Sequence, residues 1–206
     1  MMLRYSLLGL LALSALAACR KDKFEPDPAN KLLPAYTEKG NNAGGALING
    51  QVWRAYMNPG LLSRRKALVV EGQADTLFLE FDGDMQGNGA ADPREGFVFA
   101  LRRDGSNPFK LDSLLNLNNR RFVLDGRRHF ARMNWLGNHH DHGAGRGELY
   151  VRRVQKLVSP NVTVGGQPYT EYILSGTYRF TAYYRTDSVQ VTEGRFDHRI
   201  SRLGYY

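Results

Sequence analysis

Apolar and polar residues alternate through most of the chain beyond residue 43. Leu77, Leu79 and Phe81 alternate with Thr76, Phe78 and Glu80, and Phe97, Phe99 and Leu101 with Val98, Ala100 and Arg102. Tyr178, Phe180, Ala182 and Tyr184 share one face, Val189 and Val191 follow, and a last run lies near residues 195–200. Period-two patterning puts one face of each run on a core and predicts strands. Leu149 and Val151 open another. Ala46-Leu47-Ile48 and Gln51-Val52-Trp53 flank Asn49-Gly50, a pair suited to positive φ at both turn positions and hence to a hairpin. Phe122-Val123-Leu124 is expected to turn at Asp125-Gly126 into a strand carrying Ala131, Met133 and Trp135. One short helix is expected over residues 110–117. The predicted class is all-β: an antiparallel β-sandwich, or partly closed barrel, with at most one short helix, formed by residues 43–206. Its inward set is Trp53, Leu77, Leu79, Phe81, Phe97, Phe99, Phe180 and Ala182.

The first 42 residues lack this pattern. Arg4 precedes an apolar run over residues 7–16, too short to span a bilayer as a helix, and Ala17-Ala18-Cys19 follows. A positive start, a short apolar run and small residues before a cut mark a secretory signal. Leu16-Ala17-Ala18-Cys19 resembles the lipobox of bacterial lipoproteins, which implies cleavage before Cys19 and a diacylglyceryl group on its thiol. Residues 1–18 are then a lipoprotein signal peptide, and residues 19–42 comprise the lipidated Cys19 and a disordered tether. Cys19 is the only cysteine, so an internal disulfide is ruled out. Pro26, Pro28 and Pro34, scattered among charges, predict a segment without fixed structure, spanning about 75 Å at full stretch. The expected setting is the cell envelope, with attachment to the outer membrane through the lipid on Cys19. The face is left open, because Arg20-Lys21-Asp22-Lys23 lacks the acidic cluster common behind the cysteine of surface-exported lipoproteins of the Bacteroidetes type.

Three segments carry a resemblance: 43–53 (Ala-Gly-Gly-Ala-Leu-Ile-Asn-Gly-Gln-Val-Trp), 173–182 (Ile-Leu-Ser-Gly-Thr-Tyr-Arg-Phe-Thr-Ala) and 191–197 (Val-Thr-Glu-Gly-Arg-Phe-Asp). They resemble the conserved start and end of a family of Bacteroidetes envelope lipoproteins of unknown function. The likeness covers both ends of the domain and is weak between residues 60 and 144. It implies a fold class and a setting, with no activity attached. Gly194-Arg195-Phe196-Asp197 also reads more simply as a turn glycine with an Arg–Asp pair at a strand end.

Charge adds a second theme. The chain carries a formal +8 with 21 arginines and 7 lysines, and doublets at 64–65, 102–103, 120–121, 127–128 and 152–153. This balance points either to a solvated surface or to an anionic partner such as lipid headgroups, acidic glycans or lipopolysaccharide phosphates. Nucleic acid is not expected outside the cytoplasm. Other envelope proteins and glycans are the remaining partner classes, and Trp53, Trp135 and the tyrosines at 169, 172, 178, 183, 184, 205 and 206 are the rings available for stacking on sugars.

Catalytic signals are sparse. His139, His140, Asp141 and His142 offer metal-binding side chains, but ligands so close in sequence do not complete one sphere, and His129 or His198 would have to fold nearby. Asp82-Gly83-Asp84-Met85-Gln86-Gly87-Asn88 is similar to a calcium loop, yet Pro93 stands where the EF-hand needs its bidentate Glu, leaving Asp92 and Glu95 as substitutes. An acidic turn between two strands is the simpler account. No metal site and no cofactor are therefore expected. The reading is a lipid-anchored envelope protein acting as a binding or structural module rather than an enzyme. The alternatives are a glycan-binding accessory protein and a metal-dependent hydrolase.

Overall fold

Asn49 and Gly50 both take positive φ, 49° and 81°, and turn β1 (Ala43–Ile48) into β2 (Gln51–Ala55) as an antiparallel hairpin. The computed structural model containing this hairpin describes residues 24–55, 66–86, 95–103, 109–135, 143–184 and 187–201. After β2 come β3 (Leu68–Gln73), β4 (Thr76–Met85), β5 (Glu95–Arg102), a 3-10 helix (Leu111–Leu117), β6 (Arg120–Asp125), β7 (His129–Trp135), β8 (Gly143–Val164), β9 (Gln167–Tyr184) and β10 (Asp187–Ser201). All pairings are antiparallel, and the strands form one sheet in the order β2-β1-β10-β9-β8-β7-β5-β4-β3. The sheet curls until β2 meets β4, through Trp53–Met85, Arg54–Asp84 and Ala55–Gly83. The result is a ring with β3 and β6 lying outside it, the partly closed form of the expected all-β class. At one seam the closure is thin, since among the described residues β7 and β8 share the single pair Ala131–Gly145.

The interior of the ring is packed with the residues that alternation points inward. Trp53, Leu79, Phe81, Phe97 and Phe99 are wholly buried, and Leu77, Phe180 and Ala182 nearly so. Ring centroids lie 4.8 Å apart for Trp53–Phe97, 5.0 Å for Phe97–Tyr178 and 5.2 Å for Phe81–Phe196. Such contacts, edge-on or tilted, suit the quadrupoles of aromatic rings.

The expected turn at Asp125-Gly126 is present, with Gly126 at φ 80°, and leads into β7, while β6 takes β8 as its partner. Two features depart from the sequence expectation. Residues 82–84 belong to β4, which runs on to Met85, so the acidic stretch begins within a strand instead of a turn. Residues 24–42, expected to be a disordered tether, lie against the outer face of the sheet. There Leu33 is wholly buried, Pro26 and Pro34 form a bridge, and Arg54 Nε donates to the Leu32 carbonyl at 2.8 Å. The prolines and charges of this strap do not bury much surface among themselves; they are ordered by polar partners supplied by the sheet.

Candidate functional site

At the end of the ring where β4 begins and β5 stops, four separate chain segments bring cations together. The Arg102 guanidinium pairs with Asp75 at 2.7 Å, while Arg103 Nη2 donates to the Ala74 carbonyl at 2.6 Å and its guanidinium stands over Phe109. Lys110 precedes the 3-10 helix and fixes its first turn, since its carbonyl accepts both the N–H and the hydroxyl of Ser113, at 2.8 and 2.6 Å. Leu114 and Leu117 seat the helix on the core, and Asp112 pins it to the β8–β9 ribbon by accepting from Lys156 Nζ at 2.6 Å and from the Tyr172 hydroxyl. Arg120 opens β6 with its guanidinium 5.4 Å from the Phe122 ring. In the β6–β7 turn the Asp125 carboxylate accepts the N–H groups of Arg127, Arg128 and His129, led by the bond from Arg127, and these hold its pKa below the usual value. His129 Nδ1 accepts the Arg102 N–H at 3.1 Å, which puts any proton of the neutral ring on Nε2.

These segments enclose a cleft of about 950 Å³. Leu77, Leu101, Leu117 and Phe122 form its apolar side, and Arg102, Arg103, Lys110, Arg120 and Arg128 its basic side. Asp112 is the one carboxylate in the lining, and it already faces Lys156 and the Tyr172 hydroxyl. Lys110 and Arg120 have no carboxylate partner among the described residues.

A second polar centre holds the strap. Asp197 is buried on the outer side of β10 and accepts the Thr37 hydroxyl, the Ser175 hydroxyl at 2.7 Å, and the N–H groups of Lys39, Gly40 and Asn41 at 3.1, 2.8 and 3.1 Å. Burial alone would raise its pKa, but these five donors outweigh burial and hold it below 3.8. Arg195 pairs with Asp27 of the strap rather than with Asp197, and Arg199 Nε donates to the Gly40 carbonyl at 2.9 Å. Glu193, at φ 51°, marks a bulge in β10, and Gly194 lies so close to Tyr178 that a Cβ there would sit 2.2 Å from its ring carbons. On the inner side His198 is buried beside Gly44 and Phe81 with Nε2 unpaired; burial holds its pKa down at about 4, against the pull of Asp197. The motif segments 43–53, 173–182 and 191–197 thus meet around strap and core.

No protein family, curated protein or solved structure compared with this chain matches it. The assignment of a site therefore rests on the geometry. Cys19, His139, His140, His142 and Asp92 lie outside the described residues. Asp82 and Asp84 point outward from β4, paired in register with Gly96 and Arg54, and among the described residues no three His, Cys, Asp or Glu side chains gather as metal ligands do. His129 lines the cleft while His198 sits in the core. Of the aromatic candidates for sugar stacking, Trp53, Tyr172 and Tyr178 are buried, Tyr169 is half-buried and Tyr183 is exposed. No helix among the described residues is long and apolar enough to cross a membrane. The arginine doublets were the one sequence signal for the cleft: 102–103, 120–121 and 127–128 each send at least one member to it. Lys110 and the apolar wall carried no such signal.

Proposed function

We propose that this chain is a lipid-anchored cell-envelope protein, of the kind its lipobox and motif segments resemble, whose β-domain is a binding module for an anionic component of the envelope. The observation that carries the reading is the cleft, where five cations from four segments line one space; Arg102 is paired with Asp75, and Asp112, the one carboxylate in the lining, is engaged by Lys156. Two of the charged groups are fixed, Arg103 by the Ala74 carbonyl and Arg102 by Asp75, which favours a partly pre-formed site over a loose cationic surface. In the proposed setting the docked strap limits the distance from the membrane. With residues 24–42 on the sheet, residues 19–23 remain between the lipid and the domain, a reach of about 17 Å at most. The domain would then work close to the headgroups, not at the end of a long tether.

The test uses the mature lipoprotein in neutral detergent, titrated with heparin as an acidic probe and dextran as a neutral one. Heparin should bind and dextran should not, and affinity should fall steeply between 50 and 300 mM salt. The pair Lys110→Gln with Arg120→Gln should weaken heparin binding by about tenfold or more, since charge-assisted bonds contribute ~1.5–3 kcal/mol each. Arg132→Gln with Arg179→Gln, which removes the same charge elsewhere on the surface, should have a much smaller effect. Equal losses from the two pairs would reduce the cleft to general surface charge and end the proposal.

A further inference from the structure

From the charge and shape of the cleft we infer that its ligand presents a phosphate monoester, a doubly charged head, rather than a carboxylate or a phosphodiester. This rests on the reading of the cleft as an anion site and narrows it.

Three observations point the same way. The first is the number of cations. Arg102, Arg103, Lys110, Arg120 and Arg128 line one cleft; Arg102 is paired with Asp75, while Asp112, the acid in the lining, is turned to Lys156 and Tyr172, and Lys110 and Arg120 have no carboxylate partner among the described residues. A single carboxylate carries one charge and presents two oxygens, which one arginine fork can satisfy. A phosphate monoester carries close to two charges above neutral pH and presents three terminal oxygens, so cations arriving from separate directions can share it. The second is the origin of those cations. They come from the end of β5, the approach to the 3-10 helix, the start of β6 and the β6–β7 turn, four separate stretches of chain that can each offer a donor to a ligand with several oxygens.

The third observation is the lining. About 950 Å³ is far more room than a bare phosphate needs, and Leu77, Leu101, Leu117 and Phe122 give the space one apolar side. The phosphate therefore arrives attached to a body, either a soluble sugar or glycerol phosphate or the head of a lipid whose first carbons rest on Leu117 and Phe122.

Calorimetric titration of the mature protein in neutral detergent at pH 8 tests the inference with four probes. These are glucose 6-phosphate, glucuronate, dihexanoyl phosphatidate and dihexanoyl phosphatidylglycerol. The two monoesters should each bind at least tenfold more tightly than their singly charged counterparts. Lys110→Gln with Arg120→Gln should abolish that preference, while Arg132→Gln with Arg179→Gln retains it. Phosphatidate binding more than tenfold above glucose 6-phosphate would make the source a lipid headgroup; similar affinities would make the phosphate itself sufficient. Glucuronate matching glucose 6-phosphate, with both lost in the Lys110/Arg120 pair, would overturn the phosphate inference and leave the anion cleft standing. No cleft-dependent binding of heparin or of any of the four would overturn both.

Discussion

Asp197 and His198 are neighbours in β10 with opposite surroundings, and each makes stability fall with acid. The His198 imidazole is buried among aromatic rings with no partner for Nε2, and burial holds its pKa at about 4 against an ordinary 6.5. Above pH 6.5 it is neutral whether the chain is folded or not. Between pH 6.5 and about 4 the unfolded chain takes up a proton that the folded one refuses, so stability drops with falling pH, by about 3 kcal/mol across the window. Asp197 acts lower down. Its native pKa is depressed, so its contribution is complete above 3.8 and is lost as pH falls through the native value. Urea titrations at pH 7.5 and 4.5 should therefore differ for the wild type by about 3 kcal/mol more than for His198→Asn. An equal pH response in the two proteins would mean that His198 is not the buried neutral group described.

The strap and the β8–β9 ribbon show what single elements contribute. Residues 171–176 of β9 are buried without interruption, because one face meets the core and the other meets the strap. Alternation fails there for that reason. Gly176 belongs to the same arrangement: a Cβ on it would lie 2.7 Å from the Phe196 ring. Farther out, the ribbon runs beyond the ring and exposes Val158, Val162 and Val164 before turning at Gly165 and Gly166, both at positive φ. The strap is the element whose docking has a direct test. Leu33→Ala removes a wholly buried side chain packed against Gly45, and should cost about 2–4 kcal/mol by chemical denaturation. A free tether would leave the denaturation midpoint unmoved.

For the whole molecule, the proposed anchor at Cys19 would reach the domain through the strap. If Cys19 carries the lipid, the basic cleft is held within a short distance of the headgroups, where anionic ligands are concentrated and electrostatic capture is fast. Cys19→Ala should abolish acylation and leave an unprocessed or unanchored protein, read by mass spectrometry of the N-terminus and by fractionation. An uncleaved, unmodified N-terminus in the wild type would remove the membrane setting from the proposal while leaving the cleft intact.

Local pattern carried a good part of this protein. The period-two spacing of Leu77, Leu79, Phe81, Phe97, Phe99, Phe180 and Ala182 determined which faces are buried, because a strand's side chains alternate whatever the partner. Asn49-Gly50 determined a hairpin because few other residue pairs tolerate its dihedrals. Partner choice is not local, and there the tertiary structure decided. The curling of one sheet until β2 meets β4, and the pairing of β6 with β8, depend on which edges happen to be free. The docking of a proline-rich strap depends on one buried carboxylate, Asp197, whose five donors come from Ser175 and the strap itself. The cleft is the same case: its arginines were visible as doublets, but they line one space with Lys110 and the apolar residues Leu77, Leu101, Leu117 and Phe122 only once β5, β6 and the 3-10 helix are folded together.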